Sequence, residues 1–412
     1  MSRVAIVGAS LAGLRCAETL RRHGFTGVVT LIGAEPHLAY DRPPLSKAFL
    51  AGDADVVDIQ LRRDPYEDLD LDLRLGVRAV HLDVANRAVE LDAGDPVAFD
   101  RCVIATGATP RPWPGAAGRA GVFTLRGLDD ATALRAALDR DPSRVVVIGA
   151  GFIGAEVAAT CRARGLEVTV LEAQEAPMVR GLGVALGTVC AELHRDHGVD
   201  LRLGVEIAGL QGDDRVTGVR LADGAVIPAD VVVVGIGVTP EVGWLERSGL
   251  TLDNGVVTDR FLRAAPTVFA AGDVCAFPNV RFDGLRMRLE HWTNAVEQGM
   301  YVADRIHADL NPDAGGAGAS DAPAEPFAPI PFVWSDQYDT KIQCVGHFHA
   351  GDDMEIVHGS LESRRFVAIF GRDDRLVGAL GFSEPRRVMQ YRRSISAGAS
   401  FTDAVATARE AG

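Results

Sequence analysis

The six cysteines, Cys16, Cys102, Cys161, Cys190, Cys275 and Cys344, form no C-x-x-C and no C-x4-C pair anywhere in the 412-residue chain. That absence disfavours dithiol–disulfide chemistry. Cys16 and Cys161 fall in helical patterns and Cys102 begins an apolar strand, so the thiols read as small buried hydrophobes in a reducing cytoplasm. Basic excess is also missing: 42 basic against 56 acidic residues give a net charge of −14, which argues against a nucleic-acid partner. No apolar run approaches the roughly 20 residues of a membrane span, and the start of the chain has no signal or transit pattern. A cytoplasmic protein without membrane or metal is therefore expected. Hydrophobic residues at 47% and charged residues at 24% are ordinary globular values. The length suits about two to three domains at roughly 100–200 residues each.

What is present starts at Arg3. The apolar run Arg3–Val7 breaks into Gly8-Ala9-Ser10-Leu11-Ala12-Gly13 and then a helical pattern to Arg22. Strand, tight turn and helix start make a phosphate-binding unit, because the first N–H groups of a helix lack internal partners and the dipole is positive there. The middle glycine of G-x-G-x-x-G is Ser10, so this turn alone reads as either a nucleotide site or an ordinary buried turn. A second strand, Val28–Ile32, leads to Glu35, a candidate for the ribose hydroxyls. Tyr40-Asp41-Arg42-Pro43-Pro44-Leu45-Ser46-Lys47 follows; its prolines make a rigid turn, with Ser46 expected to cap a short helix carrying Lys47. That loop is either part of a redox site or a surface turn. Leu73–Phe99 reads as a β-meander, and Arg101–Ile104 runs into the small-residue turn Ala105-Thr106-Gly107.

The decisive motif lies further on. Arg144–Ile148 feeds Gly149-Ala150-Gly151-Phe152-Ile153-Gly154, a full G-x-G-x-x-G between strand and helix, and Glu167–Leu171 ends at Glu172. A glutamate there accepts both ribose hydroxyls and repels a 2′-phosphate, which favours NADH over NADPH, with Arg180 the residue able to upset that preference. Two fingerprints in one chain imply two dinucleotides, commonly FAD and a nicotinamide. Ala229–Val234 ends in Gly235-Ile236-Gly237, and Thr267–Ala271 delivers Asp273 at its carboxyl end. Asn294 and Glu297 resemble a capping box opening a helix to about Ala308. Residues 311–330, rich in Gly, Ala, Pro and Asp, read as a linker. Beyond it, four apolar runs suggest a small antiparallel sheet, and a helix from about Pro385 carries Arg386, Arg387, Arg392 and Arg393.

Taken in order, IVGASLAG, YDRPPLSK, VIATGATPR, VVVIGAGFIGAE, FAAGD, EHWTNAVEQG and PFVWSDQY resemble the NADH-dependent ferredoxin reductases of bacterial oxygenase systems. These are the putidaredoxin-reductase-like members of the FAD-dependent pyridine nucleotide oxidoreductases. The resemblance implies an α/β fold with two Rossmann-like dinucleotide-binding domains, for FAD and NAD, plus a small α+β C-terminal domain. The expected boundaries are 1–112 and 251–327 for FAD, 113–250 for NADH and 328–412 for the C-terminal domain. It further implies that Gly8, Ala12, Gly13, Glu35, Arg42, Lys47, Val80, Thr106, Arg126, Asp273 and Trp292 serve FAD, with Lys47 beside the isoalloxazine and paired to Glu156. Gly149, Gly151, Ile153, Gly154, Glu172 and Gly237 are implied for NADH. Trp334 and the four arginines at 386–393 are implied to face the partner, a [2Fe–2S] ferredoxin serving a cytochrome P450 or ring-hydroxylating oxygenase. Reduction of a small acceptor (monodehydroascorbate, quinone or oxygen) and an apoptosis-inducing-factor-like redox switch remain as alternative readings.

Overall fold

A computed structural model describes residues 1–311 and 325–411, the side chains of Arg180 and Ala411 excepted. Most of the expected linker, and the Arg180 side chain, thus lie outside the described residues. The chain divides into two compact units. The first comprises 1–41, 60–109 and 239–331; the second comprises 42–59, 110–238 and 332–412.

In the first unit a six-stranded sheet runs in the order 263–265, 268–270, 101–104, 3–7, 28–33, 71–75, parallel except at the 263–265 edge. Val4–Val7, Leu31, Ile32 and Cys102–Ile104 are all but inaccessible to solvent, as expected of a parallel sheet covered on both faces. The β-meander is present as strands 79–83, 88–91 and 97–98, antiparallel in sequence order, whereas Leu71–Leu75 joins the main sheet instead. Helix Trp292–Leu310 begins with His291 as its N-cap residue. Asn294 is therefore inside the first turn and does not cap it; its buried amide donates back to Leu289 O at 3.3 Å.

In the second unit a five-stranded parallel sheet has the order 200–202, 167–171, 144–148, 231–234, 122–123. Val145, Val147, Val157, Cys161, Val168 and Val233 form its core. The tail builds an antiparallel sheet ordered 332–337, 340–346, 375–382, 365–372, 353–360, one strand more than the four apolar runs suggested, because Phe332–Gln337 pairs as well. Helix Pro385–Ser396 and a further helix, Phe401–Ala411, complete it. Among the described residues no helix is long and apolar enough to cross a membrane.

Candidate functional site

Parallel strands deliver ligand-contacting residues at their carboxyl ends. In the first unit those ends carry the Gly8–Gly13 turn, Glu35, Thr106 and Asp273. Gly8 has φ +123°, and a Cβ there would lie 2.0 Å from Ala105 O; one on Gly13 would lie 1.9 Å from Gly8 O. Both glycines are demanded by close backbone approach. Ser10 keeps φ −102°, a value open to any residue, and its hydroxyl does not cap helix Leu11–Arg22. The first N–H groups of that helix thus remain directed at the turn. Glu35 is half-buried and accepts a hydrogen bond from the Tyr40 phenol. Thr106 Oγ1 donates to Glu241 O at 2.8 Å. The Gly272 N–H before Asp273 donates to Gln298 Oε1 at 2.7 Å, and Arg288 holds the Asp273 carbonyl at 3.0 Å. Trp292 starts its helix and donates from Nε1 to Asp41 Oδ1 at 2.7 Å. Val80 is exposed in strand 79–83.

The second unit repeats the device. Gly149 has φ +97°, with a hypothetical Cβ 2.5 Å from Gly235 O; on Gly154 it would lie 2.1 Å from Gly149 O. A Cβ on Gly151 would meet nothing within 4 Å, so the middle of the turn faces open space. No side chain caps helix Phe152–Ala163 either, and Ile153 in its first turn is exposed. The Glu172 carboxylate is held across this turn by the backbone N–H of Ala150 at 2.6 Å and of Gln174 at 2.9 Å. Gly237, with φ +98° and open space before it, lies beyond the neighbouring strand 231–234.

A buried polar cluster sits elsewhere in the same unit. Glu156, 3% exposed on helix Phe152–Ala163, accepts from Lys47 Nζ at 2.6 Å, Ser46 Oγ at 2.5 Å and Ser335 Oγ at 2.7 Å. The expected Lys47–Glu156 pair is thus formed. Ser46 is not a helix cap: Pro43–Ser46 is itself a 3-10 turn, Lys47 has φ −123° and ψ −112°, and the Ser46 hydroxyl turns to Glu156 instead. Thr160, one turn after Glu156, donates to Ser46 O at 2.7 Å and ties the Lys47 loop to the helix. Arg42 Nη1 donates to Arg126 O at 2.8 Å, bringing those two candidates together. Three donors, Lys47, Ser46 and Ser335, on one buried carboxylate stabilise its charge away from water.

Trp334 lies half-buried on strand 332–337, its ring stacked on Phe332 at 5.8 Å. Alternation along that strand points Ser335 and Gln337 inward, both fully buried. Neither was singled out from sequence; the alternation within WSDQ is the signal that finds them. On helix Pro385–Ser396 the buried face is Val388, Tyr391 and Ile395; Arg386, Arg387 and Arg393 are exposed and Arg392 is half-buried. Arg386 and Arg393, seven apart, share one face. All six thiols are buried and free, with burial pushing each upward, Cys161, Cys275 and Cys344 to about 12.

The residues fit two dinucleotides. Each turn presents an uncapped start of a 12-residue helix to an anion, one of them with space where a Cβ would stand, and each has an acid nearby for a ribose. Comparison with known proteins agrees. Residues 2–299 match the pyridine nucleotide-disulphide oxidoreductase family model, and residues 332–411 match the reductase C-terminal model. The chain is 38% identical to rhodocoxin reductase of Rhodococcus erythropolis, covering 95% of this chain and 89% of that one. It is 36% identical to the ferredoxin–NAD(+) reductase component of the biphenyl dioxygenase system of Paraburkholderia xenovorans, over 96% and 94%. The reductase in the covalent putidaredoxin reductase–putidaredoxin complex superposes with a TM-score of 0.88 at 32% identity, over 96% and 93%. The chain belongs to the pyridine nucleotide-disulphide oxidoreductase family and is an FAD- and NAD(H)-dependent oxidoreductase.

Proposed function

We propose that this protein is an NADH:ferredoxin oxidoreductase, catalysing NADH + 2 oxidised ferredoxin → NAD⁺ + H⁺ + 2 reduced ferredoxin. The carriers are [2Fe–2S] ferredoxins that serve a cytochrome P450 or a ring-hydroxylating oxygenase. The observation that carries this reading is the likeness, along almost the whole chain, to reductase components of oxygenase systems. The six buried, protonated thiols agree with it, since none is available to relay electrons as a thiolate.

Bound FAD supplies a centre that accepts hydride and releases electrons one at a time. The chain's own residues do the rest. Gly8, Ala12 and Gly13 bring backbone N–H groups to the FAD pyrophosphate, and Glu35 takes its ribose. Gly149, Gly151, Ile153, Gly154 and Gly237 hold NADH, and Glu172 excludes a 2′-phosphate by charge. Lys47, held by Glu156, is the cation beside the isoalloxazine and favours negative charge there. Arg42, Val80, Thr106, Arg126, Asp273 and Trp292 complete the FAD contacts. We assign 1–112 with 251–327 to the FAD domain, 113–250 to the NADH domain and 328–412 to the C-terminal domain. Trp334 and Arg386, Arg387, Arg392 and Arg393 form the docking side for an acidic ferredoxin. Free thiols are suited to the cytoplasm, where we place the protein.

The test is an acceptor panel. Cytochrome c reduction from NADH is expected to need added [2Fe–2S] ferredoxin and to fall sharply with NADPH. Equal rates with quinone or oxygen as direct acceptor would overturn the reading. Neutralising Arg386, Arg387, Arg392 and Arg393 should raise the KM for ferredoxin and leave flavin reduction by NADH unchanged.

A further inference from the structure

The chain has 42 basic residues, of which only Lys47 and Lys341 are lysines. A compact ammonium thus stands at position 47 in a chain that uses arginine almost everywhere else, a half-buried point charge set against a buried carboxylate. Its partner Glu156 has two carboxylate oxygens with different duties. Oε2 accepts from Lys47 and Ser46, whereas Oε1 accepts from Ser335, which lies 179 residues further along the chain on the first strand of the C-terminal sheet.

Behind Ser335 the polar chain continues. Gln337 Nε2 donates to Ser335 Oγ at 3.2 Å, which commits the serine proton to Glu156. Tyr338 Oη lies 2.9 Å from His194 Nδ1. With the phenol as donor, the neutral ring carries its proton on Nε2. Among the described residues, His194 Nε2 and Gln337 Oε1 are buried atoms without a direct partner, and they are complementary as donor and acceptor. Burial holds His194 down to about 4, and Gln337 opposes that fall. Glu156, Ser335, Gln337 and His194 are each at most 3% exposed, so no water competes for these bonds. From Gln337 through Ser335 the donors run one way, toward the carboxylate.

We propose that Ser335, backed by Gln337, is a positioning residue for the reaction: it fixes the Glu156 carboxylate so that its other oxygen holds Lys47 in place. The C-terminal sheet thereby sets the cation that the proposed function puts beside the flavin, and the proposal rests on that reading for its consequence. Removing the Ser335 hydroxyl leaves Oε1 of a buried carboxylate without its donor. Uncompensated negative charge next to Lys47 then disfavours the reduced cofactor.

Two lysines allow a direct test in the full-length holoprotein. ¹⁵N-lysine labelling gives two Nζ signals, assigned with Lys341→Arg. Ser335→Ala should speed hydrogen exchange of the Lys47 ammonium about tenfold, the worth of one charge-assisted bond, and leave Lys341 unmoved. Ser335→Thr should restore slow exchange. Gln337→Met should act in the same direction and more weakly. The flavin midpoint potential should fall in Ser335→Ala, by about a threefold change in the oxidised-to-reduced ratio. An unchanged Lys47 signal in a folded Ser335→Ala overturns the proposal; if that variant does not fold, an unchanged signal in Gln337→Met does so. The ammonium readout is independent of any acceptor. A wild-type protein inactive with ferredoxin therefore overturns the proposed function alone, while ferredoxin turnover with an unmoved Lys47 overturns only the role of Ser335.

Discussion

The two glycine turns share a backbone frame. Gly8 N to Ile32 O and Gly149 N to Leu171 O are both 2.8 Å; Ala105 N to Val7 O and Gly235 N to Ile148 O are both 2.7 Å; Leu14 N to Ser10 O and Ala155 N to Gly151 O are both 2.9 Å. They part at the acid. By strand register Ile32 corresponds to Leu171, so Gly33 stands where Glu172 does, and Glu35 stands two residues beyond it. A Cβ on Gly33 would lie 2.7 Å from the Ala9 methyl, so the first turn cannot carry its acid there as the chain lies. Glu35 takes its support from a tyrosine, whereas Glu172 is clamped by two backbone N–H groups. Sheet and turn geometry make a dinucleotide site; the attachment of the acid distinguishes one such site from another.

The sharpest break of the comparison lies within each turn. Gly13→Ala and Gly154→Ala push a methyl group into a carbonyl and should each lower the unfolding free energy by more than about 3 kcal/mol. Gly151→Ala meets nothing and should cost less than about 0.5 kcal/mol. Urea denaturation of the three variants decides whether the glycines have these separate duties.

Acid should weaken the second unit. His194, His347 and His358, held low by burial, belong to it, His194 and His347 at about 4. A buried neutral histidine takes its proton in the unfolded chain first. Its contribution is therefore complete above about pH 6.5 and is lost as pH falls toward 4. For His194, 1% exposed, that amounts to about 3 kcal/mol. Urea unfolding at pH 7.5 and pH 4.5 should show the loss, and His194→Gln should flatten it.

Smaller effects sharpen the acids. Glu172→Gln should raise the KM for NADH about tenfold, the scale of one charge-assisted bond, and weaken discrimination against NADPH with FAD content unchanged. Glu35→Gln should do the reverse, lowering FAD retention and leaving the KM for NADH alone. Ser10→Gly is expected to change FAD affinity by no more than about twofold, since Ser10 already has a negative φ.

Both turns were legible in the sequence because strand, turn, helix and second strand follow one another within about 30 residues, whereas the approach of Ala105 to Gly8 and of Gly235 to Gly149 was not. The second was clearer only because Gly151 completes its spacing. The start of the helix at Trp292 was read three residues late, as Asn294 and Glu297 mimic a capping box in place of the His291 cap. Ser46 was misread as a cap because its partner, Glu156, is 110 residues away. Alternation within WSDQ marks Ser335 as facing inward, but its bond to Glu156, 179 residues away, was hidden for the same reason. Local pattern exposes groups that act through their own backbone, whereas a buried side-chain network becomes apparent only when distant strands are brought together.

The proposed division of the two turns, FAD in the first and NADH in the second, is tested most directly by purifying Gly151→Asp and measuring both its FAD content and the reduction of that FAD by NADH. The added side chain has open space before it, so the fold should stand, while its carboxylate opposes a pyrophosphate. The account predicts full FAD occupancy, normal reduction by dithionite, and reduction by NADH slowed by about a hundredfold or more. A protein that loses its FAD, or one that NADH still reduces at the wild-type rate, would contradict it.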